Sequence, residues 1–174
     1  MTYRLPLDWL QPVKMSRVIL HWSAGAHKCS ELDKEHYHII VEGDGNVVRG
    51  DHTISDNVTS ADGDYAAHTR NCNTGSIGVS MACMAGAIES PFNPGKFPMT
   101  ETQWNRAIEV IAHLAAFYHI PVTDKTILSH AEVQRNLGIQ QNGKWDVARL
   151  PFDPKTVGAK DCGDKLRAKV LELL

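Results

Sequence analysis

The stretch Arg17–Gly25, RVILHWSAG, decides how the rest of the chain is read. Val18, Ile19 and Leu20 are consecutive apolar residues with no polar alternation, the pattern of a central strand covered on both faces. The strand ends on His21 and Trp22 and is followed by Ser23, Ala24, Gly25 and Ala26, which have almost no side chain. A tight turn that needs Gly25, with limited space for its neighbours, is the plain reading. A site that holds something small against the strand end is the alternative.

Working outward, Ser30 and Asp33 predict a capping box that opens a short helix to about His36. Tyr37–Val41 is expected as a second strand, turning at Gly43–Gly45 into Asn46–Arg49 as a hairpin. The polar stretch from Asp51 to Gly75 is expected as a long loop with a short element near Thr53–Val58, and loops of this length tend to be functional. Ser76–Met84 is expected as a third strand. Thr100 and Gln103 cap the clearest helix, expected to reach about His119 before Pro121, with Trp104, Ile108, Ile111, Leu114, Ala115 and Tyr118 as its buried stripe. A short strand at Thr126–Ser129 is followed by a loop from Gly138 to Gly158. A last helix is expected from near Gly163, burying Leu166, Val170 and Leu173. The fold class is therefore α/β in the mixed α+β sense: one domain over residues 1–174, a central mixed sheet flanked by helices.

The chain has 174 residues, 43% hydrophobic and 22% charged, with a net charge of −2. That balance gives no electrostatic case for a nucleic-acid partner or an anionic membrane surface. No segment approaches a membrane span. The N-terminus lacks the basic and apolar regions of a secretory leader, so synthesis in the cytoplasm is expected. Cys29, Cys72, Cys83 and Cys162 form no C-x-x-C pair and are expected as free thiols.

Two histidines share one context. His21 and His130 each follow a short apolar strand, Val18–Leu20 and Ile127–Leu128. If these strands are neighbours, both imidazoles gather at one rim and form a metal-site candidate; either histidine alone reads better as a satisfied, partly buried one, and only the matching pair brings the metal reading level. A catalytic zinc needs a third protein ligand and an open position for water. Asp146, Asp161 and Cys162 all qualify by residue type, and spacing does not choose among them. His68, in a polar loop, suits substrate contact better than ligation. Trp145 is expected as a cleft wall or loop anchor.

The segments ILHWSAG, YHIIVEGDGNVVRG, AHTRNCNTGSIGVSM and LSHAEV occur in that order. From about Arg17 to Leu150 the chain resembles the zinc-dependent N-acetylmuramoyl-L-alanine amidases, the family that includes phage lysozyme-like amidases and the peptidoglycan recognition proteins. The resemblance implies their fold, a Zn2+ cofactor, and peptidoglycan or muropeptides as substrate. It implies His21, His130 and Asp146 as ligands, since the family carries a Lys two positions before its third ligand and Lys144-Trp145-Asp146 matches. It also implies Tyr37 and Lys144 as catalytic residues, with Tyr37 rather than His38 facing the metal. Ser23 and its small neighbours would let a peptide stem approach. Three departures stand out: the stretch between His130 and Asp146 is long, WDV replaces the commoner Asp-Pro-Gly or Cys-Pro, and Ser80 stands where some members carry Glu.

The implied activity is hydrolysis of the amide between N-acetylmuramic acid and L-alanine, in the setting of a phage-type endolysin acting on the cell wall after release. The alternatives are a non-catalytic peptidoglycan-binding module, a cytosolic muropeptide-recycling amidase, and an injected antibacterial toxin with an immunity protein as partner.

Overall fold

The computed structural model describes residues 2–174. Five strands form one sheet: β1 (Arg17–Trp22), β2 (Ile39–Val41), β3 (Val47–Arg49), β4 (Ser76–Met81) and β5 (Ile127–Ser129), in the order β3-β2-β4-β1-β5. Only β3 is antiparallel to its neighbour; β2, β4, β1 and β5 run parallel. β1 is therefore interior, and its residues from Val18 to Trp22 are all buried, as an unbroken apolar run requires.

Four helices flank the sheet: α1 (Glu31–His36), α2 (Glu101–Phe117), α3 (His130–Leu137) and α4 (Ala159–Glu172). The expected capping boxes open α1 at Ser30 and α2 at Thr100. The whole predicted stripe of α2 is buried. Gln103, inside its first turn, donates its amide to the carbonyls of Val41 (2.7 Å) and Ala82 (2.9 Å) and so pins the helix to the ends of β2 and β4.

Several boundaries differ from expectation. The second strand begins at Ile39, because Tyr37 is spent as the C-cap of α1, with its N–H on the Asp33 carbonyl. The third strand ends at Met81, and the long helix ends at Phe117. α3 was not foreseen: β5 runs straight into it, with Glu132 closing back on the Ser129 N–H (2.9 Å) and Gly138 ending it in the left-handed conformation. α4 starts at Ala159, ahead of Gly163, and Leu173 is exposed rather than buried. No helix among the described residues is long and apolar enough to cross a membrane.

Candidate active site

Parallel pairing aligns Leu20 with Ser129. The next residues, His21 and His130, therefore leave the carboxyl ends of adjacent strands side by side, where open α/β sheets bind ligands. Asp146 is brought in by the start of α3. The first N–H groups of a helix have no partner within it, and the Ala131 N–H donates to the Asp146 carbonyl at 2.5 Å. The side chains then meet. His21 Nδ1 lies 3.1 Å from His130 Nδ1 and 3.2 Å from Asp146 Oδ2, and His130 Nδ1 lies 3.3 Å from Asp146 Oδ1. All three residues are buried.

Backbone carbonyls at the back of the cluster orient the side chains that touch both rings. His68 Nε2 faces the Ser76 carbonyl (3.3 Å), which only accepts, so that nitrogen carries a proton. Burial, then the neighbouring His21 and His38, push the His68 pKa well down, so the ring is neutral and its Nδ1 is an acceptor. That Nδ1 lies 3.1 Å from His21 Nε2 and 2.8 Å from the Thr69 hydroxyl, and either can donate to it. On the other side Gln141 Nε2 donates to the Arg70 carbonyl (2.8 Å), which turns Gln141 Oε1 to accept from His130 Nε2 (2.8 Å). Burial holds His21 at a pKa of about 4, so it too is neutral near pH 7. Burial raises the Asp146 pKa, but the His130 and His21 rings against its oxygens outweigh this and hold it below the ordinary aspartate value.

With a proton on Nε2 of each ring, which His68 and Gln141 can accept, two Nδ1 lone pairs and a carboxylate point at one another. Such a set is repulsive alone and favourable around a cation; neutral imidazoles and a carboxylate suit zinc. The residues present fit a metal. Asp161 and Cys162, the other third-ligand candidates, sit on α4 away from the cluster, Asp161 exposed and Cys162 Sγ directed at the Thr156 carbonyl (3.8 Å).

The cluster opens into a cleft of about 820 Å³, lined among others by Ser23, Tyr37, His68, Lys144 and Trp145. The Tyr37 ring centroid is 5.1 Å from that of His21. His38 points the other way, its Nε2 3.0 Å from Asn57 Oδ1 and its Nδ1 accepting the Gly78 N–H (2.9 Å). Burial, then the Asp146 and Asp33 charges, push the Tyr37 pKa up, so the phenol keeps its proton. Lys144 is exposed at the rim. Trp145 packs edge-on against Trp22 (4.7 Å) and lines the cleft. Ser23 lines the cleft, and its Oγ accepts from the Gly25 and Cys83 N–H groups (3.1 and 3.3 Å). His68, expected as a substrate contact, reaches the cleft but turns both ring nitrogens to protein groups, one of them His21. Ser80, paired with His21 in the sheet, has a buried hydroxyl without a partner among the described residues.

The sequence profile of the N-acetylmuramoyl-L-alanine amidase family matches residues 11–149. The chain belongs to that family. A sequence comparison with curated proteins returned no match. Among solved structures, this amidase-family chain is similar to the endolysin N-acetylmuramoyl-L-alanine amidase LysCS from Clostridium intestinale URNW, with a TM-score of 0.51 and 14% identity, over 97% of this chain and 93% of that one. It is also similar to the Ph2119 endolysin from Thermus scotoductus MAT2119 bacteriophage Ph2119, with a TM-score of 0.53 and 14% identity, over 92% and 87%. At such identity the likeness speaks for the amidase fold. Arg70, Tyr65 and Gln141 are cleft residues that sequence reasoning missed. All three lie in loops without periodicity, and nothing local marked them.

Proposed function

We propose that this chain is a zinc-dependent amidase that cleaves the bond between the lactyl group of N-acetylmuramic acid and L-alanine in peptidoglycan. The observation that carries the proposal is the convergence of His21 Nδ1, His130 Nδ1 and the Asp146 carboxylate beside a cleft that also presents Tyr37 and Lys144. Zinc, when bound, would polarise the scissile carbonyl and make water acidic enough to attack near neutral pH, and the proton that the water gives up would go to the departing L-alanine nitrogen as the C–N bond breaks.

The chain's own residues supply the rest. Tyr37, kept protonated by burial, donates its O–H to the carbonyl oxygen as negative charge builds there. Lys144 brings positive charge to the same oxygen from the rim. Ser80 can hold a water through its unpartnered hydroxyl, but it cannot take a proton as a carboxylate would. Trp145 and Trp22 wall the cleft, and the small residues after His21 leave room for the stem peptide. An intact ligand set favours the enzyme over a binding-only module, and the two endolysins among the structural relatives favour a lytic phage setting.

Digestion of intact sacculi tests this. The expected products are free stem peptides with new L-alanine amino termini and no new reducing sugar ends, and the release stops with a chelator. New reducing ends would indicate a glycosidase and overturn the proposal. Asp146→Ala is expected to lose both metal and activity, while Cys162→Ala keeps both; the reverse pattern would refute the ligand assignment.

A further inference from the structure

Gln141 sits in the long stretch between α3 and Asp146, and its amide is buried and used at both ends. Its Nε2 must face the Arg70 carbonyl, because a carbonyl only accepts, and this leaves Oε1 for the His130 Nε2–H, each at 2.8 Å. Its backbone N–H is held in turn by Gln134 Oε1 on α3 (2.9 Å). Arg70 directly follows His68 and Thr69, the residues that contact His21 Nε2 from behind. One amide therefore touches the imidazole on one strand end and braces the loop that backs the imidazole on the other.

Resting on the reading of His21, His130 and Asp146 as a zinc centre, we propose that Gln141 is its positioning residue. It fixes His130 as the Nε2–H tautomer and, through Arg70, holds the 66–73 segment against His21, so that both rings present Nδ1 to one ion. Groups behind a ligand histidine that fix its tautomer change metal affinity by about 10- to 100-fold when removed.

Gln141→Glu and Gln141→Leu separate the two contacts. A carboxylate still accepts from His130 but cannot donate to Arg70; leucine does neither. Nitrogen-15 NMR of the metal-free parent is expected to show His130 as the Nε2–H tautomer. Gln141→Glu should keep that tautomer and bind zinc more weakly than the parent but more tightly than the leucine variant, while amide exchange over residues 66–73 quickens by about tenfold. Gln141→Leu should lose the single tautomer and bind zinc about 10- to 100-fold more weakly in competition with a chromophoric chelator. An Nδ1–H tautomer in the parent would overturn the proposal. So would a leucine variant with unchanged zinc affinity, or a Glu variant as weak as it. If the leucine variant does not fold, the parent spectrum and the Glu variant decide. None of these readouts needs turnover, so failure of the amidase assignment would show separately, as zinc binding that depends on Gln141 without peptide release.

Discussion

Tyr37 has extended backbone geometry and stands next to the deeply buried His38, so alternation sends the phenol toward His21 and the imidazole toward Asn57. Tyr37→Phe removes one donor to a developing oxyanion and should lower turnover by about 100- to 1,000-fold. Zinc affinity should not change, because the phenol is not among the converging ligand atoms; equilibrium metal binding beside steady-state kinetics checks both. His38 makes a pH prediction. Burial holds its pKa at about 4 against an ordinary 6.5. Between those values the unfolded chain takes up a proton that the folded protein refuses. Stability is therefore complete above about pH 6.5 and falls with acidification, by about 3 kcal/mol from this residue by pH 4. Urea unfolding of the metal-free protein between pH 7.5 and pH 4.5 should show the decline, and a flat profile would contradict it. At this scale His21 and His130 were legible, because each ends an apolar run. Asp146 was legible only through resemblance, since its place depends on an N–H of α3. Gln141 and the contacts of His68 were not legible, because partners far apart in sequence create them.

The helices show which local signals suffice. α2 was readable because a capping box precedes nine buried positions at helical spacing. α3 was missed because HAEVQRNL buries only His130, Glu132 and Val133; the Ser129-x-x-Glu132 box and the closing Gly138 were its signatures. Glu132 does more than cap. Its carboxylate takes the Arg167 guanidinium at 2.9 and 3.2 Å, and Arg167 also donates to the Ile127 carbonyl (3.0 Å) and to Asp164 (2.9 Å). α4 is thereby fastened to α3 and β5. Gly163, read from sequence as the start of α4, lies inside it because the Glu132 carboxylate fills the space of a side chain. Arg167→Ala strands a buried carboxylate and should cost about 3–5 kcal/mol. Gly163→Ala should also destabilise, by collision with Glu132, and chemical denaturation of both variants checks this. A cost near zero for Arg167→Ala would mean that the pair is solvated.

Across the whole molecule, three parallel pairings place the carboxyl ends of β2, β4, β1 and β5 on one side. The mixed sheet with flanking helices was legible from the alternation of strand and helix patterns. The cleft was not, because its walls are loops. One wall, the 51–75 stretch, is organised by Asn57, whose amide donates to the Ala66 and Asn73 carbonyls (3.0 and 3.3 Å) and whose Oδ1 accepts the Ala66 N–H (2.8 Å). Polar composition marked that stretch as loop but gave no hint of this fully buried centre. Replacing Asn57 by Ala should loosen the wall and raise KM more than it lowers kcat, a split that steady-state kinetics on a soluble muropeptide would read.

X-ray absorption at the zinc edge, on protein loaded with one equivalent of the metal, tests the three-residue centre most directly. Nitrogen and oxygen scatterers alone at about 2.0–2.2 Å, with the multiple-scattering pattern of two imidazoles, are the expected result. A sulfur shell at about 2.3 Å, or zinc lost on gel filtration, would contradict it.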